Sequence, residues 1–118
     1  MAVTIEGEEG NLRVLRIRGL LRKSEWDAVL PTEARQWGPT TRVKVLVILE
    51  DFKGWERGAD WGDITFFDTY GDQIDKIAIV ADAKWEVEIL AFAGAGFRRA
   101  PVKFFPISQL TSARAWLG

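Results

Sequence analysis

The sequence predicts an α/β fold with a mostly parallel sheet of about five strands, an antiparallel amino-terminal edge hairpin and about four helices. Two observations predict the sheet and helices. Strand-like and helical segments alternate along the chain, and residues 45–49 and 77–81 are apolar on both pleat faces, as in parallel strands covered on both sides. A length of 118 residues suits one core, and no linker or repeat interrupts it. We therefore expect residues 1–118 to form a single domain.

The first two strands are predicted from alternation at the amino terminus. Val3 and Ile5 alternate with polar residues, residues 7–11 are turn-like, and residues 12–18 form a second apolar segment. The two segments should pair as an antiparallel hairpin. The alternation changes phase after Val14, which a β-bulge or burial on both faces explains equally well.

The first helix is predicted around a proline. Ser24 and Asp27 are three residues apart and resemble a capping box. Pro31 is unfavourable inside a helix, so we expect a turn over residues 24–30 and a helix that has Pro31 in its first turn. This helix should end at Trp37, before a Gly-Pro pair.

The remaining elements continue the alternation of strands and helices. They are a strand at 43–49, a helix at about 59–67, a strand at 75–81, a helix at about 84–93, a strand at 102–105 and a last helix capped by Ser108. Gly94 and Gly96 are expected to end the fourth of these elements. The order β-β-α-β-α-β-α-β-α favours right-handed crossovers between parallel strands.

The composition limits the kinds of catalysis, metal binding and partner that the chain can support. There is no cysteine and no histidine, which removes thiolate chemistry, the usual proton shuttle and the commonest transition-metal ligands. Sixteen basic residues face seventeen acidic ones, so no overall field attracts nucleic acid. We expect no cofactor, no metal and no nucleic-acid partner.

The amino terminus has neither the basic nor the apolar region of a signal peptide. The longest apolar runs are much shorter than the roughly 20 residues that a membrane span requires. We therefore expect a cytoplasmic protein without a membrane span.

Several strings along the chain resemble the SpoIIAA-like family, which has the STAS-like fold. They are VLVILEDF at 45–52 followed by Gly54, the segment around Trp61, IAIVAD at 77–82 with Trp85, VKFF at 102–105, and the ending Ala115-Trp116-Leu117. The classical anti-sigma antagonists of this fold carry a phosphorylatable serine after the third strand. Residues 51–60 contain no Ser or Thr here, which disfavours that switch. Tyr70 stands where many relatives have a histidine.

Aromatic residues gather after the third and fourth strands, where open α/β sheets bind ligands. The predicted ligand-binding residues are Asp51, Phe52, Lys53, Trp55, Trp61, Tyr70, Asp82 and Trp85. We expect a binding or interaction module without catalytic residues, which holds a small apolar, lipid-like ligand in an aromatic crevice at the carboxyl ends of strands 3 and 4. STAS-like domains share their architecture with lipid-binding CRAL-TRIO domains, which supports this expectation by analogy alone.

Other interpretations stay open. The aromatic rings are more typical of a core that covers the sheet, and they also suit a surface that docks a protein partner. An enzyme would use Asp51 or Asp82 with Tyr70 or Lys53, and a phosphorylation-controlled regulator would use Ser24, Thr65 or Thr69. A homodimer would use an apolar face around Leu110 and Trp116.

Two charged groups have simpler explanations than ligand binding. The acidic residues are Glu50, Asp51, Glu56, Asp60, Asp63, Asp68, Asp72, Asp75 and Asp82, and their spacing matches no calcium loop. A basic group comprises Arg13, Arg16, Arg18, Arg22 and Lys23. It suits phosphate contacts or, more simply, charges that protect an edge strand from aggregation.

Overall fold

The computed structural model describes residues 2–61, 69–96 and 98–118. A five-stranded sheet has the order β1-β2-β3-β4-β5. Its strands are β1 (Val3–Glu8), β2 (Leu12–Arg18), β3 (Val43–Glu50), β4 (Ile74–Ala81) and β5 (Val102–Pro106). β1 is antiparallel to β2, and the other neighbours are parallel. The predicted fold class and the opening hairpin are confirmed.

Three α-helices lie within the described residues, with short 3-10 turns between elements. They are α1 (Lys23–Ala34), α2 (Glu86–Phe92) and α3 (Leu110–Leu117). The predicted helix at 59–67 falls mostly on residues 62–68, which lie outside the described residues. The described chain therefore has three of the four expected helices.

α1 differs from its prediction. It begins at Lys23 and contains Pro31 in its last turns, so the expected turn over residues 24–30 was wrong. Pro31 removes one helical hydrogen bond, at a cost of about 3 kcal/mol in a helix interior. Packing Trp26, Val29 and Leu30 against the sheet offsets this cost, because each buried apolar side chain contributes roughly 1.5–3 kcal/mol.

The amino terminus of α1 is capped from another part of the chain. Arg22 occupies the N-cap position without a side-chain hydrogen bond, and Ser24 lies inside the helix, so the predicted capping box was wrong. Instead, Glu56 Oε1 accepts a hydrogen bond from the Lys23 backbone N–H at 3.1 Å. Asp27 pairs with the Lys23 ammonium at 2.8 Å.

The sheet is buried on both faces. One face packs under α1 and α2, and the other under α3. Leu15 and Ile17 point to the first face and Val14 to the second, and the pairing of β2 with both neighbours is continuous. The change of phase after Val14 therefore reflects burial on both faces and not a bulge.

β2 is an interior strand, so the basic group does not protect a sheet edge as expected. Each residue of the basic group is paired with a carboxylate. The pairs are Arg13–Glu33, Arg16–Glu50, Arg18–Glu50, Arg22–Glu56 and Lys23–Asp27. These side chains bind the protein's own acids, which explains the group without an external phosphate.

The end of α2 agrees with its prediction, whereas the start of α3 does not. α2 ends in a Schellman motif, in which Gly94 adopts a φ of 75° and Ala95 N–H donates to the Leu90 carbonyl at 3.0 Å. This confirms the predicted helix stop. α3 follows a 3-10 turn at Ile107–Gln109 and has no side-chain cap, so the predicted cap at Ser108 was wrong.

The apolar residues of α3 pack inward. Ala113 and Leu117 are buried, as their helical spacing predicted. Leu110 and Trp116 are half-buried against the same core cluster, and Lys76 Nζ lies 5.1 Å from the centre of the Trp116 ring. The apolar face expected to support a homodimer is therefore largely used within the domain.

Candidate functional site

The segment after β3 is held firmly against the segment after β2. Lys53 N–H donates to the Gly19 carbonyl, Leu21 N–H to Gly54, and Glu56 N–H to Leu21, each at 2.9 Å. These hydrogen bonds extend the parallel pairing beyond the ends of the two strands. The chain can turn here because Gly54 adopts a positive φ of 97°.

Three aromatic side chains pack edge to face at the carboxyl end of the sheet. The ring centres of Phe52 and Trp55 are 5.1 Å apart, those of Phe52 and Trp85 4.9 Å, and those of Trp55 and Trp85 6.0 Å. Such spacings are typical of stabilising aromatic contacts. Phe52 is only 6% exposed. These rings fill the place where the sequence predicted an apolar crevice.

A pocket of about 140 Å³, here called the edge pocket, opens beside this cluster. Its lining residues are Leu49, Asp51, Phe52, Lys53, Asp82, Lys84, Trp85 and Ile107. Five of the eight predicted site residues are among them. Leu49, Lys84 and Ile107 were missed, although Lys84 lies between two predicted residues.

The edge pocket is more polar than expected. The lining includes two carboxylates, of Asp51 and Asp82, and two ammonium groups, of Lys53 and Lys84. Within the described chain none of these four side chains forms an ion pair, in contrast to the members of the basic group. Asp82 instead caps the following turn through the Lys84 backbone N–H at 3.0 Å.

The other three predicted residues lie outside the edge pocket. Trp55 contacts both Trp85 and Phe92, and Trp61 contacts Phe92 at 5.6 Å. Tyr70 packs on Trp37 at 6.1 Å, before the amino end of β4. Asp82 follows the carboxyl end of the same strand, so the enzyme alternative does not gain an adjacent Asp82–Tyr70 pair.

A second, partly open space lies between the sheet and helices α1 and α2. It is here called the interior cavity and has a volume of about 60 Å³. Its described lining residues are Ile5, Leu15, Ile17, Trp26, Leu30, Glu33, Trp37, Val45, Val47, Ile74, Ile77, Ile79, Ile89, Phe92 and Ala93. Fourteen of these fifteen are apolar. Phe92 and Trp37 connect the cavity to Trp61 and Tyr70 of the predicted site.

The cavity is suited to an apolar occupant. A buried water needs two to four polar partners, and the described lining offers one polar side chain, Glu33. An apolar molecule would restore the missing contacts without leaving polar groups unpaired.

Glu33 is the charged residue among the described residues that line the interior cavity. Its Oε2 accepts a hydrogen bond from Trp37 Nε1 at 3.0 Å and another from Arg13 Nε at 3.2 Å. The side chains of Arg13 and Glu33 are 18% and 15% exposed, so this ion pair is largely shielded from water. Glu33 was not predicted from the sequence, because its partner Arg13 lies 20 residues away in the chain. Its second partner, Trp37, lies four residues away.

Comparison with known proteins identifies the family to which this domain belongs. The model of the SpoIIAA-like family matches residues 12–118, which cover most of the sheet and all three described helices. The chain belongs to the SpoIIAA-like family. No curated protein matches its sequence.

A solved structure shares the fold of this SpoIIAA-like domain. It is the crystal structure of an uncharacterised protein of the DUF3478 family, with a SpoIIAA-like fold, from Shewanella loihica PV-4. The two chains are 19% identical, with a TM-score of 0.75, and the match covers 99% of this chain and 93% of that chain. At this identity the similarity establishes the fold.

The acidic side chains of this SpoIIAA-like domain do not form one cluster within the described residues, and several of them pair with different arginines. Glu50 pairs with Arg16 and Arg18, and the Arg18 hydrogen bond is the main reason that the pKa of Glu50 is lowered. Asp75 pairs with Arg42. Among the described residues, no three acidic side chains lie together as a metal site, and no helix is long and apolar enough to cross a membrane.

Proposed function

We propose that this SpoIIAA-like domain is a binding module that holds a small apolar, lipid-like ligand in its interior cavity. The observation that carries the proposal is the composition of the cavity wall, in which fourteen of fifteen described residues are apolar. Pockets of this kind, with few polar groups, are the usual form of small-molecule sites. The proposed location lies beneath α1 and α2 and not in the crevice expected from the sequence.

The size of the cavity limits the ligand. An apolar cavity of about 150 Å³ holds benzene in another protein, so about 60 Å³ favours a compact molecule. A longer acyl chain would enter only if α1 and α2 moved apart. α2 is suited to such movement, since it has seven residues and Ile89 is its buried side chain.

Titration of the isotope-labelled protein with xenon, followed by methyl NMR, tests this function. Saturable shifts are expected for the methyl groups of Val47, Ile79 and Ile89, which line the cavity, and smaller shifts for Leu46, on the other sheet face. Absence of any saturable shift with xenon would reject the proposal. Shifts confined to Leu49 and Ile107 would instead place the ligand in the edge pocket.

A second candidate function uses the edge pocket. Its four charged side chains without ion pairs and the ring of Trp85 suit a small ligand that carries charged groups beside an apolar part. Asp51, Lys53 and Asp82 would then bind the charged groups, and Phe52 and Trp55 would support Trp85 from behind.

An NMR screen of amino acids and small organic acids tests this second candidate. A ligand of the edge pocket should shift the Trp85 indole signal and lose affinity in a Lys53→Gln variant. Lys76→Gln is a suitable control, because Lys76 lies against α3, away from the pocket. Equal affinities for both variants would reject the edge pocket as the site.

A further inference from the structure

The same short pattern of charges follows two neighbouring strands. Residues 51–53 read Asp-Phe-Lys directly after β3, and residues 82–84 read Asp-Ala-Lys directly after β4. Because Ile48 pairs with Val80, the two strands end within one residue of each other at the same edge of the sheet. Each segment therefore supplies one carboxylate and one ammonium group to the edge pocket, and the charges of its described lining residues cancel.

The backbone at Asp51 places two of these groups beside the pocket. Asp51 has a φ of 47° and is one of two non-glycine residues with a positive φ in the described chain. This left-handed conformation is unfavourable for most side chains, although aspartate and asparagine adopt it more readily than others. Phe52 is buried in the core, whereas Asp51 and Lys53 on either side of it are exposed. The chain thus turns so that the ring enters the core and both charges stay at the pocket.

Asp51 and Lys53 are the charged groups of the edge pocket that the domain uses least. Within residues 2–61, 69–96 and 98–118, their side chains form neither an ion pair nor a hydrogen bond. Asp82 Oδ1, in contrast, accepts the Lys84 backbone N–H at 3.0 Å. Lys84 Nζ lies 5.9 Å from the centre of the Trp85 ring. A ligand would therefore pair with Asp51 and Lys53 without breaking an ion pair within the protein.

The edge pocket also has an apolar part that includes Trp85 and Ile107. Ile107 is 55% exposed, and it is one of two large apolar side chains that are exposed among the described residues. A ligand that covers Ile107 would remove this apolar surface from water, which is favourable. The partly open pocket of about 140 Å³ is close in volume to a cavity of roughly 150 Å³ that holds benzene. A molecule with a short apolar group therefore fits.

We propose that the edge pocket binds a zwitterionic amino acid with a short apolar side chain, such as alanine or valine. Lys53 binds the α-carboxylate, Asp51 binds the α-ammonium group, and Trp85 and Ile107 contact the side chain. This inference rests on the second candidate function and names the class of ligand. A zwitterion complements a lining whose own charges cancel, whereas a ligand with one charge leaves either the carboxylates or the ammonium groups without a partner.

Three probes with the same branched carbon chain test the proposal, namely valine, isobutylamine and isovalerate. Isobutylamine lacks the carboxylate of valine, and isovalerate lacks its ammonium group. In NMR titrations of the isotope-labelled whole chain, valine should cause saturable shifts of the Trp85 indole signal and the Ile107 methyl signals. Valine is expected to bind about tenfold more tightly than either analogue, because each analogue loses one hydrogen bond between charged groups.

Two variants separate the roles of the charged residues. Lys53→Gln should weaken the binding of valine and isovalerate by about tenfold and should not weaken that of isobutylamine. Asp51→Asn should weaken the binding of valine and isobutylamine and should not weaken that of isovalerate. Asparagine also tolerates a positive φ, so the backbone is preserved. Asp72→Asn is the matched control, because Asp72 is exposed and precedes β4, at the opposite end of the sheet.

The outcomes separate this inference from the function on which it rests. Equal affinities for valine and either analogue would overturn the zwitterionic class and leave the edge pocket as a binding site. An equal loss for all three probes in Asp51→Asn would overturn the assignment of the ammonium group to Asp51. Binding of a small organic acid in the edge pocket, without binding of valine, would also overturn the class. A lack of binding there by every compound of the wider screen would reject the second candidate function itself.

Discussion

Glu56, which follows β3, caps a helix that lies more than 30 residues earlier in the chain. Its Oε1 accepts the backbone N–H of Lys23 at 3.1 Å, and its Oε2 lies 3.9 Å from Arg22 Nη1. The Glu56 backbone N–H donates to the Leu21 carbonyl. The backbone and the side chain of Glu56 therefore both connect the segment after β3 to the start of α1. This contact helps to position α1, and thereby Trp26 and Leu30, over the interior cavity.

The first prediction concerns this cap. Glu56→Ala should lower the free energy of unfolding by about 1 kcal/mol, because a helix N–H loses its acceptor. Glu56→Gln should lose less, since its amide oxygen can still accept the hydrogen bond. Urea unfolding followed by circular dichroism measures both values. Equal losses for the two variants would mean that charge, and not the hydrogen bond, stabilises α1.

The second prediction tests the interior cavity by filling it. Val47→Ile adds one methylene beside the cavity and should stabilise the protein by up to about 0.8 kcal/mol. Val43→Ile is the control, because Val43 is fully buried and is not among the residues that line the cavity. Overpacking there should destabilise by about 1–3 kcal/mol. Thermal unfolding compares the two, and similar destabilisation by both would indicate that the cavity has no room.

The third prediction concerns Gly54 beside Trp85. Gly54 has a φ of 97°, and a Cβ atom added to it would lie 3.4 Å from the Trp85 ring. That distance is an ordinary van der Waals contact, so Gly54→Ala should lower the free energy of unfolding through its backbone conformation, to about the same extent as Gly58→Ala. Gly58 also has a positive φ, of 79°, but a Cβ atom added to Gly58 would have no atom of the described residues within 4 Å.

Backbone strain alone should cost Gly58→Ala about 1–2 kcal/mol. Chemical denaturation of both variants measures the two losses. A clearly larger loss in Gly54→Ala than in Gly58→Ala would contradict this expectation and would mean that the Trp85 ring has to move.

The fourth prediction is a pH dependence that arises from Glu50. Its pKa is lowered from 4.5, chiefly by the hydrogen bond from Arg18, while partial burial opposes the shift. Because the pKa is lower in the folded state, the stabilisation is complete above pH of about 4.5 and is lost as the pH falls through the lowered value. This pair is exposed, so the effect should be roughly 0.5 kcal/mol.

The variant Glu50→Gln should remove this contribution. Its free energy of unfolding should differ from that of the natural chain at pH 7 and converge with it at low pH. Added salt should reduce the difference at pH 7, because exposed charges are screened. A difference that is the same at pH 7 and pH 3 would contradict the role of the Arg18 pair.

Much of the fold was predictable from local pattern. The apolar segments of β3 and β4 identified strands covered on both faces, and Gly94 identified the end of α2. These features depend on neighbouring residues in the chain, which is the range over which periodicity and backbone conformation act. The prediction failed at Pro31, because the penalty of a proline is local whereas the packing of α1 on the sheet is not.

The candidate site was likewise predictable in part from the sequence. From the order of residues alone, Asp51, Phe52, Lys53, Asp82 and Trp85 were expected to meet, since the carboxyl ends of parallel strands lie at one edge of a sheet. Whether the aromatic rings leave a crevice depends on how they pack, and they close it.

Only the tertiary structure revealed the interior cavity. Its wall combines residues from four strands and two helices, and one of them, Glu33, is held by hydrogen bonds from Arg13 and Trp37. Strand and helix periodicity indicates which side chains face inward. It does not indicate how completely their volumes fill the space between the layers, because packing is decided by contacts between elements that are distant in the chain.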